Sequence, residues 1–185
     1  MSQDAIQTTS TITRPKSTIE KIPLSDLRTH EMIEVLAIWH AHRHGREMPS
    51  RNDLVPRAIG RYLRNVSLLR VLQLERDYEF RIVGDAHIEA YGARNQGKRV
   101  SELMLDAPAF AELLKASLDL VVRKRAPIAY RGVFAREDDK TRFSQLETLY
   151  APMASTDGSV DYILNACVYD MRSGARSAPS SLGAC

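Results

Sequence analysis

LLRVLQLERDYEFRIVGDAHIEAYG, running from Leu68 to Gly92, is the stretch whose reading decides the fold. Leu68 to Leu74 and Tyr78 to Val83 read as two strands. Tyr78, Phe80 and Ile82 alternate with Glu79, Arg81 and Val83, the two-residue period of a half-buried strand. The short connection at Arg76-Asp77 makes the pair a hairpin. Asp85 to Tyr91 then changes to a helical stretch that Gly92 ends. Gly97 follows in a loop, and Ser101 can cap another short turn.

Working outward toward the carboxyl end, Asp106 is expected to cap a longer helix. It carries Phe110, Leu113, Leu114, Leu118, Val121 and Val122 on one face. Arg123, Lys124 and Arg125 stand at its carboxyl end, where the helix dipole favours cations, and Pro127 stops it. Three strands follow. Ile128 to Phe134 leads through the charged turn REDDK to a strand from about Arg142 to Ala154. Asp157-Gly158 is a hairpin turn into a last strand, where Val160, Tyr162, Leu164, Ala166 and Val168 alternate with Asp161, Ile163, Asn165 and Cys167. Two strands, short helices, one long helix and three strands predict an α+β domain. The expected architecture is a five-stranded antiparallel sheet with the inner helices on one face.

Upstream, residues 30–44 crowd Met32, Ile33, Val35, Leu36, Ala37, Ile38 and Trp39 into a helical pattern, with Ile33, Leu36, Ala37 and His40 in the i, i+3, i+4, i+7 rhythm. Gly45 and Pro49 end it. A helix apolar around more than one face is expected to bury against its own domain and a second copy. That places Ile38 and Trp39 on a homodimer surface. Asp53 is expected to cap a short helix through Leu63. The domain organisation read from the chain is a disordered tail over 1–18, a helical leader over 19–65, a domain over 66–169, and a second disordered tail over 170–185.

The chain has 26 Lys and Arg against 23 Asp and Glu, a formal +3. The first 18 residues carry a net +1 and the last 14 a net +2, so Ile19 to Met171 is formally neutral. A neutral body argues against a dedicated nucleic-acid binder, which needs surplus basic side chains. No stretch approaches the ~20 apolar residues of a membrane span. The amino terminus lacks the apolar core of a secretory signal. Two cysteines, Cys167 and Cys185, make no disulfide framework. A reduced, cytoplasmic protein is the expectation.

The strand and helix order over the 104 residues from Val66 to Tyr169 is that of a PAS domain. The run Trp39…Arg43-His44-Gly45…Met48-Pro49-Ser50-Arg51-Asn52-Asp53-Leu54-Val55-Pro56 resembles the leader of a bacterial, largely alphaproteobacterial, PAS-type family. Tyr78 to Gly84, Tyr91-Gly92 and Gly97-Lys98-Arg99-Val100-Ser101-Glu102-Leu103 are similar to its central stretch. Pro152, Asp157-Gly158 and Val160-Asp161 are similar to its closing hairpin. The resemblance spans roughly residues 30–169. It implies a stand-alone sensory or scaffold module that acts in signal transduction through a protein partner, with no output domain of its own.

The chemistry-bearing residues sort by what each could hold. His40, His42 and His44 invite a metal, but a zinc site needs three or four protein ligands and only Glu47 stands nearby. No metal site is assigned, and no catalytic one. His87 and Tyr91 lie four apart on the short helix that borders the cavity of a PAS fold. One His could ligate haem, yet a lone histidine more simply pairs with a backbone carbonyl. A flavin photoreceptor needs a reactive cysteine near this region, and there is none, so the cofactor stays unassigned. Tyr78, Tyr91, Tyr130, Tyr150 and Tyr162 offer hydroxyls to an apolar interior, as a small-molecule site requires. The expected pocket residues are Phe80, Ile82, His87, Tyr91, Leu114, Leu118, Tyr130 and Leu164.

Arg57, Arg61 and Arg64 fall at i, i+4, i+7, in a segment where seven Arg over residues 43–70 face only Glu47 and Asp53. A basic stripe of this kind suits docking of an acidic protein partner or of anionic headgroups. No aromatic residues interleave it for nucleic-acid stacking. The competing enzyme reading is an acid–base isomerase on the same cavity, drawing on Asp85 or His87. No P-loop, dinucleotide fingerprint or His-Glu-x-x-His motif supports another activity.

Overall fold

The 68–92 hairpin and helix form as expected in the computed structural model, which describes residues 18–53, 56–133 and 143–171. The strands are β1 (Thr18–Ile22), β2 (Val66–Leu72), β3 (Asp77–Val83), β4 (Ile128–Val133), β5 (Phe143–Ala154) and β6 (Val160–Met171). They make one antiparallel sheet in the order β1-β4-β5-β6-β2-β3. The helices are α1 (His30–Ala41), α2 (Pro56–Ile59), α3 (Asp85–Tyr91) and α4 (Pro108–Lys124), with 3-10 turns at Leu24–Asp26, Gly60–Asn65 and Ser101–Met104. Of the expected tails over 1–18 and 170–185, residues 1–17 and 172–185 lie outside the described residues, as does the REDDK turn, while Thr18 begins β1 and Asp170 and Met171 end β6.

The sheet has six strands where five were expected. Thr18–Ile22 lay in the segment read as tail and helical leader, but it pairs with β4 and covers that edge. Gly132 makes the pairing possible. Its φ is +150°, and a Cβ there would run into the Thr18 carbonyl oxygen, so only glycine lets the two backbones meet. The first hairpin also turns earlier than expected. Leu74 is 98% exposed in the turn, and Arg76 takes a left-handed φ of 52° before β3 begins. Gly92 ends α3 as expected, at a φ of 65°, with its amide donating to the Ile88 carbonyl at 2.7 Å. The α4 cap position is Ala107, one residue later than the expected Asp106, because Pro108 fits the first helical turn.

The central strands are buried on both faces, and the register says which residue faces where. On one face, Ser67 pairs with Asn165, Tyr150 with Asn165, Thr148 with Cys167, and Tyr130 with Thr148. This face is covered by α3 and α4. On the other face, Leu149 pairs with Ala166, Ala151 with Leu164, and Leu68 with Leu164. That face is covered by α1, whose Met32, Val35 and Trp39 are buried. Central strands sandwiched this way read as near-continuous apolar runs. Leu68-Leu69, Leu149-Tyr150-Ala151 and Ile163-Leu164 are such runs.

The clamp for α1 is Glu147 on β5. Its carboxylate accepts from the Thr29 amide at 2.8 Å, the Thr29 hydroxyl at 2.6 Å and the Arg28 amide at 3.1 Å, and it pairs with Arg131. Thr29 is the cap position of α1, so a buried carboxylate meets the positive end of that helix. At the far end, Trp39 Nε1 donates to the Pro152 carbonyl at 2.8 Å. Trp39 is 1% exposed and belongs to the chain's own core, which corrects its placement on a dimer surface. Ile38 is half-buried and packs on the same core. The exposed residues of α1 are His30, Ile33, Ala37, His40 and Ala41, with Ile33 46% exposed. The helix also ends at Ala41, three residues short of the expected His44, as the His42 ring nitrogen donates back to the Ile38 carbonyl at 2.8 Å.

Candidate functional site

Between the sheet and α3–α4 lies an internal cavity of about 60 Å³. Its floor is the face that carries Ser67 on β2, Phe80 on β3, Thr148 and Tyr150 on β5, and Asn165, Cys167 and Tyr169 on β6. Its roof is His87 and Tyr91 from α3, with Phe110, Leu114 and Ser117 from α4. Ile19 of β1 and Tyr130 of β4 also line it.

Of the eight expected pocket residues, Phe80, His87, Tyr91, Leu114 and Tyr130 line this cavity. Three do not. Ile82 is 43% exposed because Leu68 faces Ile82 while Leu69 faces Phe80, leaving Arg81 as an extra residue on β3. A β-bulge of this kind flips the faces, so Val83 turns toward the cavity in place of Ile82. Leu164 is buried on the opposite face with α1, and its neighbour Asn165 takes the cavity side. Leu118 is fully buried one helical turn beyond Leu114 and outside the cavity lining. Among the expected tyrosines, Tyr78 donates its hydroxyl to Asp119 at 2.6 Å and Tyr162 receives Arg51 on its ring, so neither points into the cavity.

The polar groups of the floor and roof are tied to one another. His87 Nε2 donates to the Asn65 carbonyl at 3.1 Å, which leaves Nδ1 to accept from the Tyr169 hydroxyl at 2.8 Å. The ring is the neutral Nε2–H tautomer. Burial pushes its pKa down to about 4, against a smaller upward pull from the Asn65 carbonyl. Asn165 Nδ2 donates to Thr148 Oγ1 at 2.8 Å, and Thr148 Oγ1 donates to the Ala166 carbonyl at 3.1 Å. Burial also pushes the Cys167 thiol up to about 12 and raises the Tyr150 and Tyr169 phenols. One group stands apart. The Ser67 hydroxyl is buried without a hydrogen-bond partner among the described residues, on a residue 1% exposed. An orphaned hydroxyl costs about 1–3 kcal/mol.

This donor set does not fit haem or a flavin adduct. Both His87 nitrogens are committed, so iron ligation would require breaking one of those bonds. A Cys167 thiol held at about 12 is no ready nucleophile at neutral pH. The volume is also far below the several hundred Å³ of a drug-sized pocket. The isomerase reading meets a similar obstacle. Among the described residues no Asp or Glu lines the cavity, and Asp85 is exposed at the start of α3.

The arginine-rich segment is partly consumed by the chain itself. Arg46 pairs with Asp53, Arg64 with Glu89, Arg43 stacks on Trp39 and Arg51 on Tyr162. The helix behind the stripe is broken, with α2 giving way to a 3-10 turn at Gly60. Arg61 and Arg64, three apart in that 3-10 turn, share a face and are both exposed. The Arg57 side chain lies outside the described residues. Asp53 folds onto its own loop, accepting from the Ser50 amide and hydroxyl, which with Arg46 hold its pKa down to about 2. Among the described residues no three His, Cys, Asp or Glu side chains gather as a metal site.

Ser67, Thr148, Asn165 and Tyr169 were missed from sequence. A serine inside the buried run Val66-Ser67-Leu68-Leu69 and an asparagine inside Ile163-Leu164-Asn165-Ala166 were the available signals. Polar residues in doubly buried strands mark the face that has something to bond.

An antiparallel sheet with helices folded over an internal cavity on one face and a flanking helix on the other defines an α+β cavity domain. The PAS domain family matches residues 27–168, and the chain belongs to that family. Among solved structures, an RNA-binding light-oxygen-voltage receptor is similar at 13% identity and a TM-score of 0.45, over 84% of this chain and 39% of that one. The chain thus spans about two-fifths of that receptor's length. No curated protein matches. No helix of the described residues is long and apolar enough to cross a membrane.

Proposed function

We propose that the chain is a cytoplasmic sensory PAS module that acts in signal transduction by docking a protein partner, with a small ligand in the cavity as its input. One observation carries this reading. A single layer of sheet separates the cavity from α1. Thr148, Tyr150 and Asn165 face the cavity, while the alternating Leu149 and Ala166 face α1. Interiors are close-packed and do not deform continuously. A change of cavity contents that shifts β5 or β6 therefore reaches α1 and its outer surface. Ile33 and Ala37 on α1 are the surface for a second copy, and the exposed Arg61 and Arg64 are the surface for an acidic partner.

The cavity-filling substitution Ser117→Val tests the relay, since Ser117 lines the cavity from α4. Amide exchange within His30–Ala41 is expected to change in the variant, alongside exchange in β5 and β6. A response confined to α4 and its immediate neighbours would overturn the relay.

A further inference from the structure

Among the described residues no charged side chain lines the cavity, which limits what can enter it. None of its lining residues is Asp, Glu, Lys or Arg. His87 is held in its neutral tautomer by Asn65 and Tyr169. An ionised ligand would give up its hydration with no counter-charge to meet it, a cost that buried ions escape only when paired. The apolar side is Phe80, Phe110 and Leu114, and the polar side is a strip on β2, β5 and β6. On that strip Asn165 donates to Thr148 and Thr148 to the Ala166 carbonyl, and among the described lining residues Ser67 alone is left with a buried, unpartnered hydroxyl. Buried polar groups without partners are rare in native proteins and call for an occupant.

We propose that the cavity binds a small uncharged molecule with a single hydrogen-bonding group, held by the Ser67 hydroxyl, with its apolar part against Phe80, Phe110 and Leu114. Its size follows from the volume of about 60 Å³. A volume on the order of a few water-sized positions admits only a handful of non-hydrogen atoms. A short-chain alcohol, amide or ketone fits; a carboxylate, an alkylammonium ion and a drug-sized ring system do not. This inference rests on the sensory reading above and narrows it to a ligand class.

The test is a titration of the uniformly ¹⁵N-labelled full chain with 1-propanol, propionate and propylammonium chloride at matched ionic strength. Saturable amide shifts at Ser67, Val83 and Asn165 are expected with 1-propanol alone. Ser67→Ala removes the anchoring hydroxyl and is expected to weaken that Kd about 5- to 10-fold, the worth of one hydrogen bond. The variant also removes an orphaned polar group, so its urea midpoint should be no lower than that of the parent chain. An unchanged Kd in Ser67→Ala overturns the assignment of the anchor. Saturation by propionate or propylammonium keeps the cavity as a ligand site and overturns the uncharged class. Shifts that rise linearly with all three probes leave the cavity holding ordered water only, and the ligand input of the sensory reading falls with the inference.

Discussion

Replacing Glu147 by alanine should release α1 from the sheet. The carboxylate is 4% exposed and satisfies the Thr29 amide, the Thr29 hydroxyl, the Arg28 amide and the Arg131 guanidinium. Arg131 also donates to the Asp26 carbonyl, so the segment before α1 hangs on the same group. Removing the carboxylate leaves the part-buried Thr29 and Arg28 donors unpaired and takes the counter-charge from Arg131. At 22% exposure Arg131 keeps water and the Asp26 carbonyl, so the combined loss is about 3–5 kcal/mol. Against a domain stability of about 5–15 kcal/mol, that is a large share. At about 2–4 °C per kcal/mol for a domain of this size, Tm should fall by about 6–20 °C. Glu147→Gln keeps an acceptor for Thr29 but loses the charge opposite Arg131, so it should cost roughly half as much. Urea unfolding at pH 7 reads both values, with an unchanged slope marking an unaltered unfolded state. The pH dependence gives a second handle. Burial works against the Glu147 charge, yet the hydrogen bonds from Thr29, Arg131 and Arg28 outweigh it and hold the carboxyl below its usual range. A carboxyl depressed in the folded state stabilises above its unfolded pKa of about 4.3 and loses that contribution as pH falls through the lower folded value. Glu147→Gln should therefore have a flatter acid limb below about pH 4.3 than the parent chain. A loss under about 1 kcal/mol in Glu147→Ala would refute the clamp, since exposed ion pairs already reach that value.

Trp39→Ala should cost about 3–5 kcal/mol by urea unfolding, as for other buried large aromatics. Ile33→Asp, on the outward side of the same helix, should change stability by less than about 0.5 kcal/mol while sedimentation velocity shows weaker self-association. Gly132→Ala should detach β1 from β4, seen as lost amide-exchange protection across Thr18–Ile22 with β5 and β6 still protected. His87, held at about 4 by burial, should show no ring titration between pH 6 and 8 in long-range ¹H–¹⁵N spectra. Its folded pKa lies below the unfolded value of about 6.5, so its contribution is full above that pH and lost as pH falls toward 4.

The hairpin, the helices and the closing strands were legible because each is bounded by its own punctuation: Gly92 after α3, Pro127 after α4, Asp157-Gly158 before β6. Facing was harder to read. In Ile163-Leu164-Asn165-Ala166 both alternating sets are apolar enough to be buried, and both are, so the period of two could not choose Asn165 over Leu164. In β3 the pattern Tyr78, Phe80, Ile82 looked regular, but one extra residue at Arg81 reversed it after Phe80. β1 was hidden because TIEKI is short, half charged and followed by Pro23. Its partner β4 lies more than a hundred residues away, and the enabling Gly132 reads locally as a weak point in a strand. Trp39 was placed outward because the helix is apolar all round, and only the doubly covered sheet shows that one face suffices to bury it.

Trp39 is the one tryptophan of the chain, and its indole Nε1 is bonded to Pro152 on the α1 face of β5. It is therefore a natural reporter of whether the sheet relays the state of the cavity to the helix. The decisive measurement follows the Trp39 indole cross-peak during the 1-propanol titration, beside the Ser67 amide. Shifts of the two peaks that saturate together, and that weaken together in Ser67→Ala, are the expected result. A Ser67 amide that saturates while the Trp39 indole stays fixed would show a ligand site disconnected from α1, and would contradict the sensory reading.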